Sequence, residues 1–322
     1  MTPSDNDKLS PVQPNLRPDI MLTNCNCCPR DCCADRTTDK LGFCDIGDGF
    51  AISSICAHHG EEPVLSGAYG ICNIFFSHCN MQCIFCQNYQ ISDNRLSAAT
   101  DYMTLDEVVE RVERILSQGA KGVGFVSCSH IIPQMRQIMN ALNKSGHRPV
   151  YVYNTNGYDR AEMIASMKDE IDVYLPDLKY MDNRLASEYS ATPNYVDFAG
   201  EALKEMYRQK GADIVLDEDG LITSGLIIRH LVLPGHIDNT KAVLGFIARE
   251  LSPDVYISLM SQYYPTPRVA GRPRLGRTLR AEEYDEVIEE FERLGFHRGF
   301  VQQLSSPHHY RPDFMKDHPF ED

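Results

Sequence analysis

The sequence predicts an α/β protein with a parallel sheet, either an open doubly wound sheet or a full or partial barrel. Two observations support this class. Six short apolar runs, rich in β-branched and aromatic residues, follow one another from residue 71 onward, and amphipathic stretches separate them. Strict alternation of this kind implies right-handed crossovers, and functional sites in both architectures gather at the carboxyl ends of the strands.

The predicted strands are apolar on both faces, as expected for buried parallel strands. They span residues 71–77, 122–127, 149–153, 171–175, 226–233 and 255–259. Apolar residues at helical spacing predict helices over 105–116 and 284–294. Thr104 and Glu107 form a capping-box pattern that begins the first of these helices.

Composition narrows the class further. The chain has 322 residues, 12 cysteines, no tryptophan and a formal charge of −14, with 43% hydrophobic and 24% charged residues. These values exclude a disordered or fibrous chain, and the acidic balance argues against nucleic acid as the main partner. No apolar run approaches the roughly 18 residues of a membrane span, so we expect a cytoplasmic protein without a membrane partner. In a reducing compartment, so many cysteines indicate metal or redox chemistry.

Four regions are predicted along the chain: a flexible leader (1–20), a cysteine-rich metal-binding module (21–66), the core (67–305) and a tail (306–322). The segment from Cys25 to Cys56 contains so much Cys, Asp and Gly that we expect no regular structure there.

The segment between the two cysteine groups carries four side chains that could bind metal, act as acid or base, or form a solvated connection. They are His58, His59, Glu61 and Glu62. We expect this segment to be partly buried over the mouth of the barrel.

The strongest chemical motif directly follows the first predicted strand. Cys79, Cys83 and Cys86 have C-x3-C-x2-C spacing on one loop. Three thiolates can face a common centre, but a closed zinc site needs a fourth ligand. A cubane iron–sulfur cluster bound by three cysteines leaves one iron open, so a catalytic cluster and a structural zinc loop are the two interpretations.

This spacing, with Phe85 just before the third cysteine, resembles the radical S-adenosylmethionine (radical SAM) superfamily. Residues 154–157 (NTNG), 177–179 (DLK) and 233–238 (LPGHID) are similar to elements of its branch around pyruvate formate-lyase activating enzyme. The resemblance spans about residues 71–305 and implies a partial (β/α)6 TIM-like barrel with the cysteine-rich extension at its amino end.

The resemblance also implies cofactors and an activity. Cys79, Cys83 and Cys86 would hold a 4Fe–4S cluster that binds S-adenosylmethionine and cleaves it reductively. The resulting 5′-deoxyadenosyl radical would abstract hydrogen from a substrate, and an electron donor such as flavodoxin or ferredoxin would supply the electron. The substrate, a small molecule or a protein, is not specified by the sequence.

Further cofactor-binding residues follow from the same resemblance, which also implies a bound monovalent cation near residues 154 and 177. Asn154 stands where the branch has aspartate, and the glutamate of a G-G-E-like element is missing after the second strand. Serine hydroxyls or a histidine are expected to replace that glutamate. The full predicted set is Phe85, Ser127, Ser129, His130, Asn154, Thr155, Asp177 and Lys179.

A second cysteine group precedes the core. Cys25, Cys28, Cys32 and Cys44 have C-x2-C-x3-C-x11-C spacing and predict an auxiliary metal site. Four soft ligands suit either zinc or an iron–sulfur cluster, and spacing does not choose between them. Cys27 and Cys33 are alternative ligands for this site. No role is assigned to the cysteines outside these groups, which are Cys56, Cys72 and Cys128.

Five arginines lie between residues 268 and 280. They could clamp an acidic substrate or partner at the barrel mouth, or they could pair with the acidic helix that begins at Glu282.

The sequence therefore predicts a radical SAM enzyme acting on an unidentified substrate. The alternatives are a glycyl radical enzyme activase and a non-catalytic iron–sulfur or zinc-binding electron carrier.

Overall fold

The computed structural model describes residues 18–95, 102–306, 311–316 and 318–320. Of the predicted leader, residues 1–17 lie outside the described part, and helix α1 begins at Pro18. Within the described ranges, no helix has both the length and the apolar character needed to cross a membrane.

Strands and helices alternate through most of the described chain. The strands are β1 Phe50–His58, β2 Ile71–Phe76, β3 Tyr102–Met103, β4 Gly122–Val126, β5 Val150–Thr155, β6 Val173–Pro176, β7 Val215–Leu216, β8 Ile222–Leu231, β9 Tyr256–Met260 and β10 Gly299–Val301. The helices are α1 Pro18–Thr23, α2 Pro63–Ser66, α3 Tyr89–Ser92, α4 Leu105–Ser117, α5 Ile132–Lys144, α6 Ala161–Ser166, α7 Asn183–Ser190, α8 Tyr195–Lys210, α9 Ile237–Glu250 and α10 Ala281–Arg293.

The strands form one sheet in the order β10-β9-β8-β6-β5-β4-β2-β1-β3, with β7 paired to β8. From β2 to β10 the neighbours on this path are parallel. All six predicted strands are present as β2, β4, β5, β6, β8 and β9. The predicted α/β partial barrel with a cysteine-rich amino-terminal region is confirmed.

Both helices predicted from periodicity are also present, as α4 and α10. Thr104 caps α4 through a complete capping box with Glu107.

We expected no regular structure between Cys25 and Cys56, and this expectation was wrong because strand β1 begins at Phe50. Strand β1 pairs antiparallel with β2, from Ile52 opposite Phe76 to His58 opposite Ile71. The Cys-, Asp- and Gly-rich composition ends before this strand, and its sequence, FAISSICAH, has the apolar and β-branched residues that strands favour. The predicted boundary between residues 66 and 67 therefore follows an element that already belongs to the sheet, and the domain limits stay predictions.

Two apolar cores lie on opposite sides of the sheet. The larger core packs the helices against the outside of the sheet and includes Phe125 and Ile228. The smaller one fills the barrel interior near the amino ends of the strands, where Leu65 of α2 joins Ile71 and Ile227. The segment before α2 therefore closes the end of the barrel opposite the mouth, and its predicted position over the mouth was wrong.

Described residues of the carboxyl-terminal tail cover the side of the barrel between β2 and β10. The rings of Phe314 and Phe320 both lie 5.3 Å from the ring of Phe75 on β2. Gln90 of α3 fixes this segment, since its amide nitrogen donates to Asp313 Oδ1 at 3.0 Å. The tail thus supplies a wall that the open sheet lacks.

The arginine-rich segment is largely paired with carboxylates. The nearest nitrogen–oxygen distances are 3.5 Å for Arg268–Asp93, 2.9 Å for Arg272–Glu188 and 2.6 Å for Arg277–Glu283. The last pair is the predicted pairing with the acidic helix, here α10. These contacts favour a structural role for this segment over a substrate clamp.

Glu283 generates the first testable prediction. Hydrogen bonds from Arg277 lower its pKa to about 2, from an ordinary value of 4.5, despite partial burial. A depressed folded-state pKa stabilises the fold above pH 4.5, and this stabilisation is lost as the pH falls toward 2. We expect Glu283→Gln to lower the free energy of unfolding by about 2 kcal/mol at pH 7. Urea denaturation at pH 7 and at successively lower pH measures this effect. The difference in free energy of unfolding between wild type and Glu283→Gln should become smaller below about pH 4.5.

Glu289 is exposed on the same helix, so Glu289→Gln is the matched control. Equal stability of wild type and Glu283→Gln at pH 7 would contradict this account of the Arg277 contact.

Candidate functional site

A cavity of about 930 Å³ lies at the carboxyl ends of the strands, and the three cysteines of the first loop line it. The loop starts at His78, whose φ of 67° turns the chain sharply after β2. Asn94 then holds the first cysteine at both backbone groups, because Cys79 N–H donates to Asn94 Oδ1 and Asn94 Nδ2 donates to Cys79 O, each at 3.0 Å. We call this space the cysteine cavity.

Each of the three sulfur atoms accepts a hydrogen bond from the protein. The donors are Asn156 Nδ2 to Cys79 Sγ at 3.4 Å, Ser190 Oγ to Cys83 Sγ at 3.0 Å and Ser92 Oγ to Cys86 Sγ at 3.2 Å. Donors of this kind stabilise thiolates and tune a bound iron–sulfur cluster.

Burial opposes ionisation of two of these thiols, raising the pKa of Cys79 to about 12 and that of Cys83 to about 11. Among the described residues, no three Cys, His, Asp or Glu side chains converge tightly enough to hold a single metal ion. A cubane cluster instead gives each thiolate a different iron, so three soft donors spaced around one cavity fit that group.

A buried network of charges forms the floor of the cavity. Arg229, on β8, donates from Nη1 to Glu61 Oε2 at 2.8 Å, from Nε to Asp177 Oδ1 at 3.0 Å and from Nη2 to Asn154 Oδ1 at 3.3 Å. Lys179 Nζ donates to Asp177 Oδ2 at 2.5 Å. One guanidinium therefore joins β5, β6 and β8 to the segment before α2.

These contacts keep the network charged. Burial tends to raise the pKa of Asp177, but the positive charges of Lys179 and Arg229 outweigh it and the pKa is lowered. Burial likewise tends to lower the pKa of Lys179, but Asp177 and Cys83 outweigh it and raise the pKa. The ammonium group of Lys179 is thus a fixed cation beside the cysteines.

The network occupies the place where the sequence resemblance implies a monovalent cation. Asn154 and Asp177 both accept hydrogen bonds from Arg229. A guanidinium already neutralises the carboxylate there, so these residues do not fit a separate cation.

The eight predicted cofactor-binding residues fall into two groups. Five line the cysteine cavity: Phe85, Ser127, Asn154, Asp177 and Lys179. The other three, Ser129, His130 and Thr155, are buried and do not line it. Ser129 Oγ lies 3.0 Å from Thr155 Oγ1, and Thr155 bonds to the buried Asp159, so this pair forms a polar network behind the wall.

His130 connects the barrel to the amino-terminal module. Its carbonyl accepts from Arg36 Nη1 at 2.7 Å, and its ring Nε2 lies 3.2 Å from Ser77 O. Burial lowers the pKa of His130 to about 3, so the ring is neutral at pH 7. In this structure His130 packs as a structural residue.

The amino-terminal cysteines lie next to the cysteine cavity. Arg30 Nε donates to the carbonyl of Asn80, within the three-cysteine loop, at 2.8 Å. Burial lowers the pKa of Arg30, and the nearby thiols of Cys28, Cys44 and Cys79 oppose this shift when they are ionised. One arginine therefore lies between the two cysteine groups. Three of the four predicted auxiliary ligands are buried, namely Cys25, Cys28 and Cys44, and Cys32 is half-buried.

Sequence reasoning missed Arg229 and Asn156 as parts of the site, and it named Glu61 only as a candidate metal ligand or acid–base group. Arg229 was visible as a charged residue inside an otherwise apolar strand, which is costly unless the charge is paired. Nothing in the sequence indicated that Glu61 contacts β5 and β8, because only the fold brings it next to these strands.

Comparisons with known proteins agree with this geometry. Residues 73–217 match the family model of the radical SAM superfamily. This stretch contains the three-cysteine motif, so the match agrees with the resemblance that the motif indicated. Uncharacterized protein MJ0674 of Methanocaldococcus jannaschii is 29% identical over 299 residues, which cover 90% of this chain and 82% of that protein.

Two solved structures are also similar. A radical SAM methyltransferase from Sphaerobacter thermophilus has 17% identity and a TM-score of 0.48, over 72% of this chain and 66% of that one. A domain of pyruvate-formate lyase-activating enzyme from Bacteroides vulgatus has 15% identity and a TM-score of 0.37, over 53% of this chain and 92% of that one.

The Arg229 network gives the second prediction. Replacing potassium and sodium by tetramethylammonium should change the dissociation constant for S-adenosylmethionine by less than about twofold, because the guanidinium is built into the chain. In Arg229→Gln, Glu61 loses its paired cation and Asp177 keeps only Lys179, so added potassium should now strengthen binding. Isothermal titration of the reconstituted protein measures both effects.

Arg249→Gln, an exposed change on α9, is the control. Strong potassium dependence of the wild-type protein would show that Arg229 does not replace the cation.

Proposed function

We propose that this protein is a radical SAM enzyme in which Cys79, Cys83 and Cys86 hold a 4Fe–4S cluster and the adjoining cavity binds S-adenosylmethionine. The observation that carries the proposal is the cysteine cavity itself, where three hydrogen-bonded thiols face a fixed ion network. The match of residues 73–217 to the family model of the radical SAM superfamily supports radical chemistry dependent on S-adenosylmethionine. When bound, the cluster supplies the single electron that cleaves the cofactor.

The residues of the cavity then have distinct tasks. Ser127 and Asn154 offer neutral hydrogen-bonding groups, while Lys179 offers a cation that fits the carboxylate of an amino-acid cofactor. The apolar walls include Phe75, Phe85 and Met260, which keep water away from a reactive intermediate.

The auxiliary cysteines form a second part of the proposal. Cys25, Cys28, Cys32 and Cys44 would bind an iron–sulfur cluster rather than zinc, because no three such side chains among the described residues converge tightly enough for a single ion. The cluster would stabilise a module too small for a large core of its own. The position of Arg30 between the two cysteine groups supports a coupling of this module to the catalytic loop.

A soluble electron-transfer protein of the cytoplasm, such as flavodoxin or ferredoxin, would supply the electron. The narrower alternative, activation of a glycyl radical enzyme, keeps the same cofactor chemistry with a protein substrate. The electron-carrier alternative needs a fourth protein ligand, and the described residues lining the cavity include no fourth thiol.

Reductive cleavage provides the third prediction. Anaerobic reconstitution with iron and sulfide, followed by reduction, should yield 5′-deoxyadenosine from the wild-type protein. Cys83→Ala should lower this yield at least about 100-fold, because one of three cluster ligands is lost. Chromatography of the products and analysis of iron and zinc per chain provide the measurements; metal retained in Cys83→Ala would belong to the auxiliary site.

Cys56→Ala changes a half-buried thiol on β1 outside the cysteine cavity and serves as the control. The catalytic proposal would be refuted by equal, negligible yields from wild type and Cys83→Ala at full iron content.

A further inference from the structure

A second space, lined in part by polar side chains, continues from the cysteine cavity into the barrel. Its volume is about 830 Å³, and its lining includes His58, Glu61 and Glu62. We call it the Glu62 pocket. It shares Phe75, Val126, Asn154, Arg229, Met260 and Gln262 with the cysteine cavity. A small molecule in this pocket therefore has access to the reactive end of the site.

Two side chains in the pocket each have one buried polar atom without a hydrogen-bond partner. Glu62 and His58 are 7% and 8% exposed. Glu62 Oε2 and His58 Nδ1 are buried without any hydrogen-bond partner. Leaving such groups unpaired costs free energy, which a bound ligand that hydrogen-bonds to them would offset.

The surrounding charges indicate which ligand fits. Among the described residues that line the two connected spaces, there are three carboxylates, Glu61, Glu62 and Asp177, and two side-chain cations, Lys179 and Arg229. Arg229 and Lys179 make their direct ion pairs with Glu61 and Asp177. Glu62 is left without an ion pair of its own, and burial raises its pKa against the influence of Arg229. A cationic hydrogen-bond donor is the ligand group that matches this carboxylate.

The walls restrict the rest of the ligand. Phe75 and Met260 are apolar and lie along both spaces, while Phe300 and Phe320 line only the inner one. Phe320 packs against the ring of His58 at 4.1 Å and helps to close this side of the pocket. A carbon chain fits along these walls, between the Glu62 end and the cysteine end.

We infer that the Glu62 pocket binds the substrate, and that the substrate is a small primary amine whose ammonium group donates to Glu62 while its apolar carbon chain extends toward the cysteines. The inference rests on the proposed function only in calling this ligand the substrate; the binding site itself does not depend on catalysis.

Three probes of equal chain length test the inference on the reconstituted protein by isothermal titration: n-hexylamine, 1-hexanol and hexanoate. We expect hexylamine to bind at least about tenfold more tightly than either of the others, because only the ammonium pairs with Glu62. Glu62→Gln keeps the size of the side chain and should weaken hexylamine binding by about tenfold or more while leaving hexanol unchanged.

Glu289→Gln is the matched control and should bind hexylamine like the wild type. Hexanol or hexanoate binding to the wild type as tightly as hexylamine would overturn the inference without relying on any variant. Undiminished hexylamine binding by Glu62→Gln, with an unchanged thermal midpoint, would overturn it as well. If the amine preference holds but no 5′-deoxyadenosine forms, the proposed function fails and the amine site stands.

Discussion

The Arg229 guanidinium is the contact on which the arrangement of the site depends. A charge inside a barrel is costly unless it is paired, and here one side chain satisfies Glu61, Asp177 and Asn154 together. Because these partners come from separate parts of the chain, the same contacts that neutralise the charge also fix the floor of the cysteine cavity. Lys179 extends the network from Asp177 toward the sulfur atoms. The same ion pairs therefore set the charge of the cavity and the positions of the side chains that line it.

The barrel interior is consequently layered. Apolar residues around Leu65 fill the amino end of the strands, the ion network occupies the middle, and the cysteine loop lies at the carboxyl end. The tail residues Phe314 and Phe320 cover the lateral gap that a partial barrel leaves beside β2. This order would give a reactive intermediate of the proposed chemistry an enclosed space, from which water is excluded, above a polar floor.

Much of this organisation could be predicted from local sequence signals. Six parallel strands were recognised because their apolar runs are continuous, and the cysteine loop was recognised because its spacing is specific. Strand alternation could also have separated Asn154, which faces the cavity, from Thr155, which bonds to Asp159 behind the wall. The positions of Glu61 and Glu62 could not be predicted in this way, because β1 and α2 acquire their place only by packing against strands far along the chain.

The central claim is that the cysteine cavity holds a three-cysteine cluster with one iron open to S-adenosylmethionine. Electron paramagnetic resonance of the reduced, reconstituted protein tests it most directly, with spectra recorded before and after addition of the cofactor. The account predicts that S-adenosylmethionine changes the cluster signal, and that Cys83→Ala gives neither the signal of this cluster nor the change. A wild-type spectrum unaltered by saturating cofactor would contradict the claim, because a fully ligated cluster has no iron to offer.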